Sequence, residues 1–278
     1  MSDIPKLAIP EPAPPKLEWR GVEKRFGGAP VLRHLDLAVA AGQSLVIIGG
    51  SGQGKSVTIK IAAGLMQPDA GQVLIDGQGI CGLDGRGRRQ LASRLGMLFQ
   101  GAALFDSLPV WENIAFRLIN ADHVPRKEAK ARALEALDRV RLGRRFVDLY
   151  PSELSGGMQK RVGLARAVIG DPEIIFFDEP TTGLDPITGR AINDLILEQV
   201  KTLGCTAVSI THDLESARTI GDEIAMLHDG VIVWRGPADQ LDNSGNAYVD
   251  QFVRGDPDGP IKQRSRLART STRPKDEA

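Results

Sequence analysis

The chain has 278 residues, 42% of them hydrophobic and 25% charged, a composition that allows one large globular domain or two small ones. Its 35 basic and 35 acidic residues cancel to a formal net charge of zero, which removes any whole-chain electrostatic case for nucleic acid. The two cysteines, Cys81 and Cys205, lie far apart; they exclude a disulfide framework, suit a reducing cytoplasm and are expected as small buried hydrophobes.

No apolar run approaches the ~18 residues that suggest a membrane span, and the opening Met1-Ser2-Asp3-Ile4-Pro5 carries no signal peptide. Any membrane role is therefore expected to run through a partner or surface contact. Residues 1–15 hold five prolines and are expected as an extended, poorly ordered tail. Leu17 and Trp19 alternate with charges as in a half-buried strand, and Leu35, Leu37 and Val39 repeat the pattern. Leu45, Val46, Ile47 and Ile48 are continuous, so this strand is expected to be buried on both faces. A glycine-rich loop follows, then a helix over 57–65 closing at Gly64, with Pro68 beyond. Short strands are expected at 72–75, ending at the Asp76-Gly77 turn, and at 95–99.

From 111 to 149 the pattern is helical, with Ala129, Leu134, Leu137 and Val140 recurring every three to four residues. Another helix starts at Gly156 with Ser155 at its N-cap, carries Met158, Val162, Ala165 and Ile169 on one face, and ends at Gly170-Asp171-Pro172. Strand 173–178, helix 187–203, strand 207–210, helix 214–220 and strand 223–227 follow, and the Asp229-Gly230 turn leads into 231–234. The alternation predicts an α/β domain over 16–254 with a mostly parallel core sheet. The first hairpins predict an antiparallel side sheet, and 100–155 reads as an inserted helical subdomain. Beyond it, 255–278 is a basic tail with Lys262, Arg264, Arg266, Arg269, Arg273 and Lys275. It reads either as a solvated segment or as a contact for anionic lipid or a partner subunit.

The chemistry concentrates in two segments. Gly49-Gly50-Ser51-Gly52-Gln53-Gly54-Lys55-Ser56, followed by Val57, fits the G-x-x-x-x-G-K-[ST] phosphate loop. Its glycines let backbone N–H groups turn inward onto phosphate, and the following helix adds its positive N-terminal end. Lys55 is expected to reach the β- and γ-phosphates of ATP, and the Ser56 hydroxyl to ligate Mg²⁺. Ile174-Ile175-Phe176-Phe177-Asp178-Glu179 places two carboxylates at the end of a buried strand. Such a pair alone is often a strand exit; beside a phosphate loop, Asp178 is expected to support Mg²⁺ through water and Glu179 to act as general base.

Leu154-Ser155-Gly156-Gly157-Met158-Gln159-Lys160-Arg161, upstream of this pair, resembles the signature motif of the ATP-binding-cassette ATPases. The resemblance spans about 17–240 and implies the P-loop ATPase fold of that family. It implies that Gln100 is the lid-loop glutamine, acting in catalysis and at Mg²⁺. It makes Gly183-Leu184-Asp185-Pro186 the D-loop, with Asp185 near nucleotide, and His212 the switch histidine, catalytic at the γ-phosphate. Phe26 sits where the family stacks an aromatic on adenine, a core phenylalanine being the other reading. Ser155, Gly156 and Gly157 are implied to bind the ATP of a second subunit, so that a homodimer holds two ATPs. His34, His123 and His228 are left as structural or surface residues.

One cassette without a membrane segment implies separate integral membrane permease subunits, docked near 100–112. Met158, the run Phe99-Gln100-Gly101-Ala102-Ala103-Leu104-Phe105, Gln251-Phe252-Val253 and Asp258-Gly259-Pro260 resemble the Mla or Mkl (toluene-tolerance) type of phospholipid-transport ATPase. That implies a place on the cytoplasmic face of the inner membrane, a periplasmic lipid-binding subunit in the same complex, and no nucleic acid. The basic tail after Pro260 departs from that pattern. The rivals are an ATPase serving amino acids or another small solute, and a soluble cassette working on ribosomes or DNA.

Overall fold

The computed structural model describes residues 14–262, so the expectations for 1–13 and for the basic run beyond Lys262 lie outside the described residues. Strands β1 (Leu17–Phe26) and β2 (Ala29–Val39) pair antiparallel, setting Leu17, Trp19 and Val22 opposite Val39, Leu37 and Leu35. After β3 (Ser44–Ile48), the strands β4 (Ala70–Ile75) and β5 (Gln78–Gly79) return to this sheet, in the order β2-β1-β4-β5.

The second sheet contains β3, β6 (Leu95–Leu98), β7 (Ile174–Asp178), β8 (Thr206–Ile210), β9 (Glu223–His228) and β10 (Val231–Pro237). Its order is β10-β9-β3-β8-β7-β6; all neighbours from β9 to β6 are parallel, and β10 closes the edge antiparallel to β9. The fold is therefore α/β with a mostly parallel core and an antiparallel side sheet.

Alternation decides which layer each side chain serves. Leu45 and Ile47 of β3, with Ile174 and Phe176 of β7, face the side sheet and join Leu17, Trp19 and Leu35 in one core. Val46, Ile48, Ile175 and Phe177 face the opposite way into a second core under the helices. Every residue of β3 and β7 is buried, and burying each large apolar side chain contributes about 1.5–3 kcal/mol. The central strands are thus fixed from both sides, which holds their C-terminal ends in place.

The helices are α1 (Lys55–Ala62), α2 (Gly85–Arg94), α3 (Val110–Asn120), α4 (Arg126–Arg139), α5 (Gly156–Val168), α6 (Pro186–Leu203), α7 (Leu214–Ile220) and α8 (Ala247–Arg254). Helix α1 begins at Lys55, two residues before the expected start, because the phosphate loop runs straight into it. The helical stretch expected over 111–149 divides into α3 and α4, with Pro125 at the N-cap of α4. Two elements carry no clear sequence signal. Helix α2 buries only Leu91, and α8 is a short helix started by the Asn246 side chain, which accepts from Tyr248 and Val249 N–H. Cys205 is buried, its thiol pushed up to about 11 by desolvation, whereas Cys81 is only half-buried, against expectation.

Candidate active site

The loop 49–54 leaves β3 through a tight passage. Gly49 has φ +148, and a Cβ there would lie 2.3 Å from the Leu227 carbonyl oxygen of β9. Gly54 caps α1 at φ +103 and offers no side chain to the helix, leaving the first amides of α1 free for an anion. Lys55 is buried at the start of α1, and its Nζ donates to the carbonyls of Gly49 at 2.7 Å and Gly50 at 3.0 Å. Burial holds this ammonium below its ordinary pKa, against the pull of Glu179 and Asp178. The Gln53 side chain accepts the Asp229 N–H at 2.5 Å and is not among the residues lining the cleft described below.

Asp178 ends β7, buried, with Oδ1 accepting the Ser56 hydroxyl at 3.3 Å. Desolvation pushes its carboxyl up, and the Ser56 hydrogen bond opposes this. A serine hydroxyl, a carboxylate and the nearby Gln100 amide are hard oxygen donors of the kind Mg²⁺ takes. No cluster of three or more His, Cys, Asp or Glu forms a metal cage among the described residues. One carboxylate plus a hydroxyl fits an ion held mainly by phosphate oxygens and water, so these residues fit Mg²⁺.

Glu179, the next residue, turns sharply at φ +48 while its N–H donates to Ile210 O of β8 at 2.9 Å. Its Oε2 accepts the Thr182 hydroxyl at 2.7 Å and lies 3.2 Å from His212 Nδ1. Burial alone would raise this carboxyl; Thr182 and His212, with Lys55 behind them, hold it below its ordinary value. Glu179 is therefore ionised at neutral pH, as a proton acceptor must be.

Phe26, Ser51, Gly52, Gly54, Lys55, Ser56, Val57, Gln100, Glu179 and His212 line one cleft of about 600 Å³, together with Val31 and Thr182. Phe26 is 47% exposed at its rim, so it is not a core phenylalanine. Ser155, Gly156, Gly157 and Asp185 do not line this cleft. Ser155 caps α5 by accepting from Met158 N–H, and Asp185 caps α6 by accepting from Ile187 and Thr188 N–H. The two caps adjoin: a Cβ on Gly157 would meet Thr188 Cγ2 at 2.7 Å. Asp185 lines a second cavity of about 380 Å³, which shares His212 with the first cleft.

Thr182 lies outside the motifs singled out in the sequence, and Lys160, inside the signature-like stretch, is given no role by it. Thr182 has a signal, a hydroxyl three residues after Glu179 in the turn out of β7. Lys160 has a subtler one, a cation within a helix whose neighbours Val162, Gly163 and Leu164 are all buried.

The family model described as ABC transporter matches residues 32–182. The chain is 37% identical over 246 residues to the intermembrane phospholipid transport system ATP-binding protein MlaF of Haemophilus influenzae, covering 88% of this chain and 93% of that one. It is 41% identical over 227 residues to the methionine import ATP-binding protein MetN of Caulobacter vibrioides, covering 81% and 68%. The ATP-binding cassette MJ0796, solved as a dimer in a post-hydrolysis state with ADP and Pi, superposes with a TM-score of 0.73 at 33% identity, covering 80% of this chain and 98% of that one. The phosphate loop, the carboxylates of β7 and these matches lead to one assignment: the chain belongs to the ABC transporter family, as an ATP-binding cassette that hydrolyses ATP.

Proposed function

We propose that this cassette powers phospholipid movement between two membranes through separate permease subunits, working as a homodimer on the cytoplasmic face of the inner membrane. The observation that carries the cargo is the match to MlaF, which extends over 93% of that protein rather than over the cassette motifs alone. The methionine-importer match is higher in identity but covers 68% of its protein, and it favours a second reading in which the cargo is an amino acid. No helix among the described residues is long and apolar enough to cross a membrane, so the permease would be other chains.

In this reading Phe26 stacks on the adenine, and the amides of 49–54 with the α1 N-terminus hold the phosphates. Lys55 exchanges its two loop carbonyls for the β- and γ-phosphate oxygens. Ser56, Asp178 and Gln100 would hold Mg²⁺, which when bound would draw charge off the phosphate oxygens. Glu179 takes a proton from the attacking water, and His212, already 3.2 Å from its carboxylate, orients it and meets the γ-phosphate. Ser155, Gly156, Gly157 and Asp185, set apart from the cleft, serve the nucleotide of the partner copy.

The test is to extract the tagged chain from membranes and identify what accompanies it. Integral membrane chains, a periplasmic lipid-binding subunit and bound phospholipid are the expected companions. A methionine-binding periplasmic protein without lipid would move the assignment to the second reading, and ribosomal proteins would overturn both.

A further inference from the structure

Helix α5 carries one buried cation, Lys160, and one half-buried cation, Arg166, and neither forms an ion pair with a carboxylate among the described residues. Lys160 is 5% exposed, and its Nζ donates to the backbone carbonyl of Gln100 and, at 3.3 Å, to that of Glu179. Arg166, six residues on, donates to the carbonyls of Ala102 and, at 2.7 Å, Ala103. Between them Gly163 lets the helix approach the lid loop closely; a Cβ there would stand 2.7 Å from Leu98 Cδ1 and 3.2 Å from Ala102 Cβ.

The accepting carbonyls are unusual. Glu179, Ala102 and Ala103 are three of the few non-glycine residues with left-handed backbone, at φ +48, +59 and +48. Such conformations persist only where their surroundings over-determine them. A buried ammonium is costly unless its hydrogen bonds are met. Here each need answers the other, and the atoms involved belong to the two segments that carry Gln100 and Glu179 into the cleft.

We propose that Lys160 is a positioning residue for hydrolysis: by bridging the Gln100 and Glu179 carbonyls it fixes the direction in which both side chains enter the cleft. This rests on the assignment of Glu179 and Gln100 to the hydrolytic step. Each carbonyl carbon is bonded to the Cα that bears the side chain, so main chain that shifts when the ammonium is lost carries the side chain with it. Phosphate binding by 49–56 touches none of these atoms. Lys160 therefore acts on turnover and not on nucleotide affinity. Arg166 secures the far side of the same lid loop.

The experiment uses the full chain with Mg²⁺ and ATP, measuring steady-state turnover and, separately, equilibrium binding of a fluorescent ATP analogue. Lys160→Met is expected to lower kcat about tenfold or more while the analogue's Kd stays within about twofold, and Lys160→Arg to regain most of kcat. An unchanged kcat in Lys160→Met overturns the proposal. So does a loss of kcat matched by an equal loss of affinity, since that is what a general packing defect produces. If Lys160→Met does not fold, Lys160→Gln, which keeps a shorter neutral donor, is judged by the same two outcomes. Glu179→Gln run alongside separates the failures. If it turns over like the parent, the hydrolytic assignment falls and the proposal with it; if it is inactive while Lys160→Met is unaffected, the positioning role alone falls.

Discussion

A carboxylate that accepts a proton from water has to be ionised, aimed and dry enough to matter, and Glu179 meets these conditions through different neighbours. Thr182 and His212 hold it ionised, and the left-handed turn at φ +48 aims it back over the cleft rather than along the strand. Half-burial then strengthens its interactions. Asp178, one residue earlier, is pushed the other way by desolvation. Adjacent carboxylates with opposed shifts suit different tasks, here the proposed base at Glu179 and the proposed ligand at Asp178. Glu179→Gln keeps the shape and can keep the Thr182 hydrogen bond, but it removes the base. Phosphate release is expected to fall by about a hundredfold or more, with ATP affinity retained. Normal release from that variant would take the base away from Glu179.

Each element is held by a different kind of force, and that governs what sequence can reveal. Strands β3 and β7 are apolar apart from Ser44 and Asp178 at their ends, so their burial inside the sheet is legible from sequence alone. Helix α2 is not, because its charged residues form no apolar face and it rests on the Asp84 cap and Leu91. The phosphate loop and the Asp178-Glu179 pair are legible because their chemistry is local in sequence. The bond from Lys160 to Gln100 is not, since it joins residues 60 positions apart. The same holds for the cluster in which Glu173, at the start of β7, meets Arg94 and Lys16. This cluster ties the core sheet to the end of α2 and the start of β1. Arg94, and then Lys16, hydrogen-bond the Glu173 carboxylate and lower its pKa to about 2. The folded value lies below the unfolded one, so this stabilisation is complete above about pH 4.5 and is lost as pH falls towards 2. Glu173 is 45% exposed, and solvent screening limits each pair to about 0.2–1 kcal/mol. Glu173→Gln is therefore expected to lower stability to urea at pH 7 by about 1 kcal/mol, with the difference from the parent shrinking at pH 3. A difference that stays constant between these values would assign the loss to packing instead.

At the scale of the whole molecule the residues proposed to handle nucleotide fall in two separate places. The cleft at 49–56 gathers the phosphate loop, Glu179 and His212, while the N-terminus of α5 and the Asp185 turn sit together outside it. Beside that turn Ile187 is 84% exposed, the most exposed large hydrophobic residue among those described, on the first turn of α6. An apolar side chain so placed gains about 1.5–3 kcal/mol if a second copy covers it. With hydrolysis stopped by Glu179→Gln, ATP is expected to shift the mass in light scattering from the 30.0 kDa of one chain to twice that. Adding Ile187→Glu to that variant puts a charge where the partner's surface would close, and each 1.4 kcal/mol lost is about tenfold in the dimer Kd. A weakening of about tenfold or more is expected, with ATP binding to the single chain unchanged because Ile187 lies outside the cleft. If the double variant dimerises as tightly as its parent, the Asp185 turn is not at the interface. The proposed role of Ser155, Gly156 and Gly157 at the partner's ATP, which rests on their packing against that turn, would fall with it.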